Sequence, residues 1–122
     1  MTTHALDQAV ALHPTGAHQY RGATSPAYAN MVGPFGGVTA ATVMQSVMQH
    51  PERLGEPISL TVNYAAALAD GEFAISARPV RTNRSTQHWV MEITQPGADG
   101  VPATVLTGTA VTAVRRETWG VD

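Results

Sequence analysis

The stretch Asn30-Met-Val-Gly-Pro-Phe-Gly-Gly-Val-Thr-Ala-Ala-Thr-Val-Met-Gln-Ser-Val-Met-Gln-His50 decides the fold. Gly33, Pro34, Gly36 and Gly37 make a turn, and the residues after it repeat at the period of a helix. Ala40, Ala41, Val43, Met44, Val47 and Met48 form a stripe at about 100° per residue. Thr39, Thr42, Ser46 and Gln49 lie opposite with Val38 among them, and Gln45 sits on the border. A helix this apolar buries most of one side, and a bent sheet is the expected cover. Pro51 disfavours its continuation past His50. Its first turn leaves backbone N–H groups without intrahelical partners, next to glycine, where they can hold a carbonyl oxygen or an anion.

Downstream the period changes to 2. Ile58, Leu60, Val62 and Tyr64 alternate with Ser59, Thr61 and Asn63. Ala69-Asp70-Gly71 then carries hairpin-turn chemistry. Phe73, Ile75 and Ala77 alternate in the next strand and Trp89, Met91 and Ile93 in a third, separated by a polar bend at 81–85. A second bend at 96–100 leads into a last strand, about 103–114. Upstream, 18–21 reads as a short strand, while Ala5, Val10 and Leu12 before Pro14 fit either a strand that reaches Leu12 or an arm. The ends near 1–15 and 116–122 are expected to be flexible. The expectation is a single α+β domain over 1–122, with one long helix wrapped by a bent antiparallel sheet of about five to six strands. That is the hotdog architecture.

Composition narrows the function. The 122 residues are 43% hydrophobic and only 13% charged, which hints at surface covered by a partner chain. A net charge of −2 gives no electrostatic case for nucleic acid. No apolar run reaches a membrane span, and the first residues lack the pattern of a signal peptide, so a cytoplasmic protein is expected. Without cysteine there is no disulfide and no thiolate nucleophile.

Gly36-Gly37-Val38-Thr39-Ala40-Ala41 at the helix start resembles the acyl-CoA thioesterase II family. So do the strand at 59–64 with Asp70-Gly71 after it, and the stretch from Arg81-Thr82-Asn83-Arg84-Ser85 to Thr94-Gln95-Pro96-Gly97. The resemblance covers roughly 18–115 and matches the first of the two hotdog repeats that the family usually carries. It implies hydrolysis of an acyl-CoA thioester to free acid and CoA by direct attack of water, without metal or organic cofactor. In the family an Asp, a Ser or Thr and a Gln of the second repeat orient that water. Laid over this chain, those positions fall near Ser59, near Asn83 to Thr86 (where Ser85 and Thr86 offer hydroxyls) and near Ala110. The resemblance therefore also implies an alternative, a non-catalytic acyl-CoA binding module or the partner half of a split tandem enzyme. A lone repeat leaves a sheet edge open, so a homodimer or higher homo-oligomer is expected. The tail at 115–122 resembles the point where tandem relatives enter their linker.

The candidate site residues follow from that chemistry. Gly36 and Gly37 are the donors for an oxyanion. Gln45 and Asn30 are candidates to orient water, since an amide can position but not titrate. Arg81 and Arg84, with Ser85, Thr86 and more distant Arg21, suit the phosphates of CoA. Asn63 and Asp70 read as solvent and turn residues, and His88 with Glu92 as a polar face. His18 and His50 have no partner at metal-ligand spacing, so no metal site is expected. No serine sits in a nucleophile-elbow pattern, and the helix offers no His–carboxylate pair for a dehydratase.

Overall fold

The computed structural model describes residues 11–24 and 36–115. A hairpin of β1 (His13–Gly16) and β2 (Gln19–Ala23) comes first. The helix α1 (Gly36–Met48) follows, then β3 (Glu56–Tyr64), β4 (Glu72–Thr82), β5 (Thr86–Pro96) and β6 (Pro102–Ala113). The strands form one antiparallel sheet in the order β1-β2-β4-β5-β6-β3, and α1 lies on one face of it. This is the hotdog fold.

The period-2 pattern builds the core. Phe73, Ile75 and Ala77 of β4, Trp89, Met91 and Ile93 of β5, and Leu106 and Ala110 of β6 are buried on the face that meets Val43 and Val47 of α1. Each large aliphatic side chain removed from water there contributes about 1.5–3 kcal/mol. The ladder slips between Pro57 and Ser59, between Pro79 and Arg81, and between Ile93 and Thr94. Such bulges increase local twist and bend the sheet around the helix. Two of them coincide with prolines, which cannot donate to a ladder.

Three expectations are corrected. The helix does not bury its most apolar stripe: Ala41 is exposed and Ala40, Met44 and Met48 are half-buried, whereas Thr39, Thr42 and Ser46 face the core beside Val43 and Val47. Burying the hydroxyls of Thr42 and Ser46 is tolerable because they donate to the helix's own carbonyls of Val38 and Val43. Asp70-Gly71 does not close a hairpin, because β3 pairs with β6 at the edge and β4 lies between β2 and β5. Residues 65–71 instead carry the chain across the sheet. At the N-terminus, His13–Gly16 is a paired strand where a loose end was expected.

Candidate functional site

Gly36 and Gly37 open α1, whose first turn holds no acidic residue to compensate the positive end of the helix dipole. Gly37 is exposed. Asn30 lies outside the described residues. Gln45 is half-buried two turns further on, about 12 Å along the axis from Gly37. Its Nε2 donates to Gln49 Oε1 at 3.1 Å, and Gln49 Nε2 donates to the carbonyl of Leu12 at 3.2 Å. Within one chain, Gln45 thus belongs to a tie between α1 and the N-terminal segment.

The bend between β4 and β5 is ordered by its own polar groups. Arg81 Nε donates to Asn83 Oδ1 at 2.9 Å, and Asn83 Nδ2 donates to Thr86 Oγ1 at 3.1 Å. The Asn83 amide bonds the Thr86 carbonyl, and the Ser85 carbonyl accepts from the Val114 amide. Arg81 and Arg84 are exposed. Gln87, next to Thr86, hydrogen-bonds the loop that follows α1. The bend therefore sits by the C-terminal end of the helix, about 20 Å along it from Gly36. Arg21 joins neither group: it pairs with Glu72 at 3.7 Å, and its register partner Ala74 is seven positions from Arg81 on β4, roughly 23 Å.

The remaining candidates are separate as well. Glu92 accepts a hydrogen bond from Thr104, while His88 and Asn63 are exposed. Ser59 is exposed on β3, and Ala110 is buried in the core opposite Leu60 and Trp89.

A cluster that linear spacing hides lies where the β1–β2 turn meets the end of α1. His18 and His50, 32 positions apart, approach to 2.7 Å between His18 Nδ1 and His50 Nε2. The rings are tilted by only 16° with centroids 4.9 Å apart, and two ring radii plus the contact account for nearly all of that distance. They therefore meet edge to edge, as a hydrogen bond requires, rather than face to face. The tautomers follow from the partners. The Glu52 amide donates to His50 Nδ1 at 3.0 Å, so the His50 proton is on Nε2 and points at His18 Nδ1. The His18 proton is then on Nε2, which faces the Glu52 carboxylate at 3.9 Å. Trp89 covers His50 edge-on at 5.0 Å. His18, His50 and Glu52 also bring ligand atoms within 4.8 Å of one another, close enough for a divalent metal. The hydrogen bonds fit a shared proton better, because a histidine that ligates through Nε2 keeps a proton on Nδ1, and here Nδ1 is an acceptor.

Two buried glutamines of β5 escaped the sequence reading. Gln87 accepts the Leu54 amide at 2.7 Å and donates to the Glu52 carbonyl at 3.0 Å and to Thr82. Gln95 makes reciprocal 2.9 Å bonds with the backbone of Ala69. Their signal was in the alternation Gln87, Trp89, Met91, Ile93, Gln95, which puts two amides in line with a core face.

The sequence model of the acyl-CoA thioesterase N-terminal domain matches residues 25–113, and the chain belongs to that family. It is similar to a conserved protein of unknown function with a hot dog fold from Alicyclobacillus acidocaldarius, at 50% identity and a TM-score of 0.87. That match covers 99% of this chain and 44% of the other. An acyl-CoA thioesterase II from Mycobacterium marinum superposes with a TM-score of 0.74 at 14% identity, over 97% of this chain and 42% of that one. The chain thus spans less than half the length of either protein. A conserved protein from Pseudomonas aeruginosa matches with a TM-score of 0.70 at 21% identity, over 91% and 94% of the two chains. No functionally curated protein matches the chain.

Proposed function

We propose that this chain is one hotdog half of an acyl-CoA thioester hydrolase and that a second copy, joined along β3, completes the site. The observation that carries the reading is the helix start: in a chain of the acyl-CoA thioesterase family, Gly36 and Gly37 present amides at a helix end with no acidic neighbour in its first turn. Water attacks the thioester carbonyl, and the N–H groups of Gly36 and Gly37 stabilise the oxyanion of the tetrahedral intermediate. Collapse of the intermediate expels the CoA thiol and leaves the free acid. Gln45 and Asn30 are the amides that orient the water, working across the seam between copies. The exposed guanidinium groups of Arg81 and Arg84, flanked by Ser85 and Thr86, bind CoA phosphates. No metal or organic cofactor enters this chemistry.

A second reading is favoured by one observation. Ser59 and Ala110, where the resemblance puts an Asp and a Gln, offer an exposed hydroxyl and a buried methyl. On that reading the chain binds acyl-CoA without turnover, or supplies the non-catalytic half of a larger enzyme. CoA release from a panel of short to long acyl-CoAs, with Gln45→Ala beside the wild type, separates the two. Hydrolysis is expected, and its collapse in the variant identifies the water-orienting amide. Turnover that survives in the variant removes Gln45 from the mechanism. Tight binding without turnover replaces the hydrolase with the binding module.

A further inference from the structure

His50 is 5% exposed and held from three sides: by the Glu52 amide, by His18 and by the edge of Trp89. His18 reaches it from the second position of the two-residue turn Ala17-His18, with φ at +61°. Glycine is the usual occupant of such a left-handed turn position. An imidazole kept there at a backbone cost points to a role for the side chain. We propose that His18, His50 and Glu52 form an acid-released latch that fastens β1 and its turn, at the edge of the sheet, to the C-terminal end of α1.

The proton count gives the latch its sign. In the latched arrangement each ring carries one proton, and the polarity runs in one direction from the Glu52 amide through both rings towards the Glu52 carboxylate. A third proton has no seat. On His50 Nδ1 it would meet the Glu52 N–H head-on, and on His18 Nδ1 it would meet the His50 Nε2–H. The first placement breaks the bond within 50–52 that orients the His50 ring towards the hairpin, and the second breaks the bond between the helix end and the hairpin itself. The titratable neighbours on the packed elements are His18 and the Tyr20 phenol from the hairpin and Glu52 from the loop. Arg53 turns away to the Gly55 carbonyl and Glu56, and β5 presents the uncharged Trp89. Burial, and then His18, lower the His50 pKa, against a smaller raising effect of Glu52. The folded state therefore takes up the proton less readily than the unfolded chain. The stabilisation is complete above the unfolded-state value of about 6.5 and is lost as the pH falls below it, through the folded-state pKa.

Release is local. β2 stays in the sheet through its five residue pairs with β4 and through the bond from the Ala77 amide to the His18 carbonyl. Among the described residues, strand β1 pairs only with β2, and Leu12 just before it accepts a hydrogen bond from Gln49 of the segment that ends the helix. Opening would widen the cleft of about 240 Å³ lined by Pro14, Tyr20, Gln49 and the two histidines.

The test is amide hydrogen exchange of residues 13–17 between pH 7.5 and 5.5, corrected for intrinsic rates, with ¹⁵N spectra of the imidazoles on the same samples. We expect His50 as the neutral Nε2–H tautomer at pH 7.5, and protection of 13–17 to fall about tenfold at pH 5.5 while β5 amides keep theirs. In His18→Gly, which removes both the ring and the strain, protection should already be low at pH 7.5 and fall no further. An Nδ1–H tautomer for His50, or protection of 13–17 equal at both pH values, would overturn the latch. So would His18→Gly protecting those amides as well as the wild type does, since a backbone-only tether is helped by glycine at this turn position.

Discussion

Gly36 is the residue at which the proposed chemistry is easiest to isolate. Proline is tolerated at the first position of a helix, where its missing N–H has no intrahelical partner in any case. Gly36→Pro should therefore keep α1 while deleting one oxyanion donor. A loss of about 10²-fold in kcat with little change in KM is expected, read from steady-state CoA release. An unchanged kcat would assign the oxyanion to other donors. Gln87 makes a matching case for stability. Its amide is buried and satisfies the Leu54 N–H and the Glu52 carbonyl together. Gln87→Met keeps the volume and leaves both backbone groups unpaired, so a loss of about 2–3 kcal/mol is expected in urea denaturation. A loss under about 0.5 kcal/mol would mean that water replaces the amide.

Among the elements, the loop from α1 to β3 bears the tightest geometric demand. Gly55 has φ of +78°, and a Cβ there would stand 2.2 Å from the Ala113 backbone. Gly55→Ala thus combines a left-handed conformation with a clash against a strand that cannot move alone. A loss of roughly 3 kcal/mol or more, or failure to fold, is expected by thermal denaturation. The same elements show what could be read in advance. Strands β4, β5 and β6 were legible because Phe73-Ile75-Ala77 and Trp89-Met91-Ile93 alternate without interruption, and the helix because its turn, its period and Pro51 agree. The pairing of β3 was not legible, since Asp70-Gly71 carries local hairpin chemistry and the choice of β6 as partner is a tertiary one. The buried face of α1 was misjudged for a related reason: a helical wheel scores Thr42 and Ser46 as polar and does not see hydroxyls bonded to the helix's own carbonyls. At the site, residue type pointed to Gly36, Gln45 and the arginines. The 20 Å that separates the helix start from the bend, and the meeting of His18 with His50, depend on topology and left no local mark.

That separation bears on the whole molecule, because the described candidate residues converge on no common cleft within one chain. The sheet has two edges of different character. Strand β1 is four residues long, a length that blunts an edge. Strand β3 is nine residues long, with Ile58 65% and Tyr64 55% exposed. Beside it, Leu60 and Val62 of β3 and Met44 of α1 pack against the core while part of their surface remains open. An apolar flank thus runs from the helix on to the strand edge, and a second hotdog would cover both at once. Lysine is a common guard of free edges, so Ile58→Lys with Thr61→Lys places charge where a partner strand would lie, at positions already exposed in the single chain. Light scattering should show the wild type at twice the chain mass and the double variant at the chain mass. Circular dichroism and the urea midpoint at low concentration should change little. If the site lies along the seam, CoA release should fall with the dimer rather than with the fold, and recover partly at protein concentrations high enough to restore it. A wild type that remains monomeric yet turns over acyl-CoA would place the complete site within one chain and end the case for a seam.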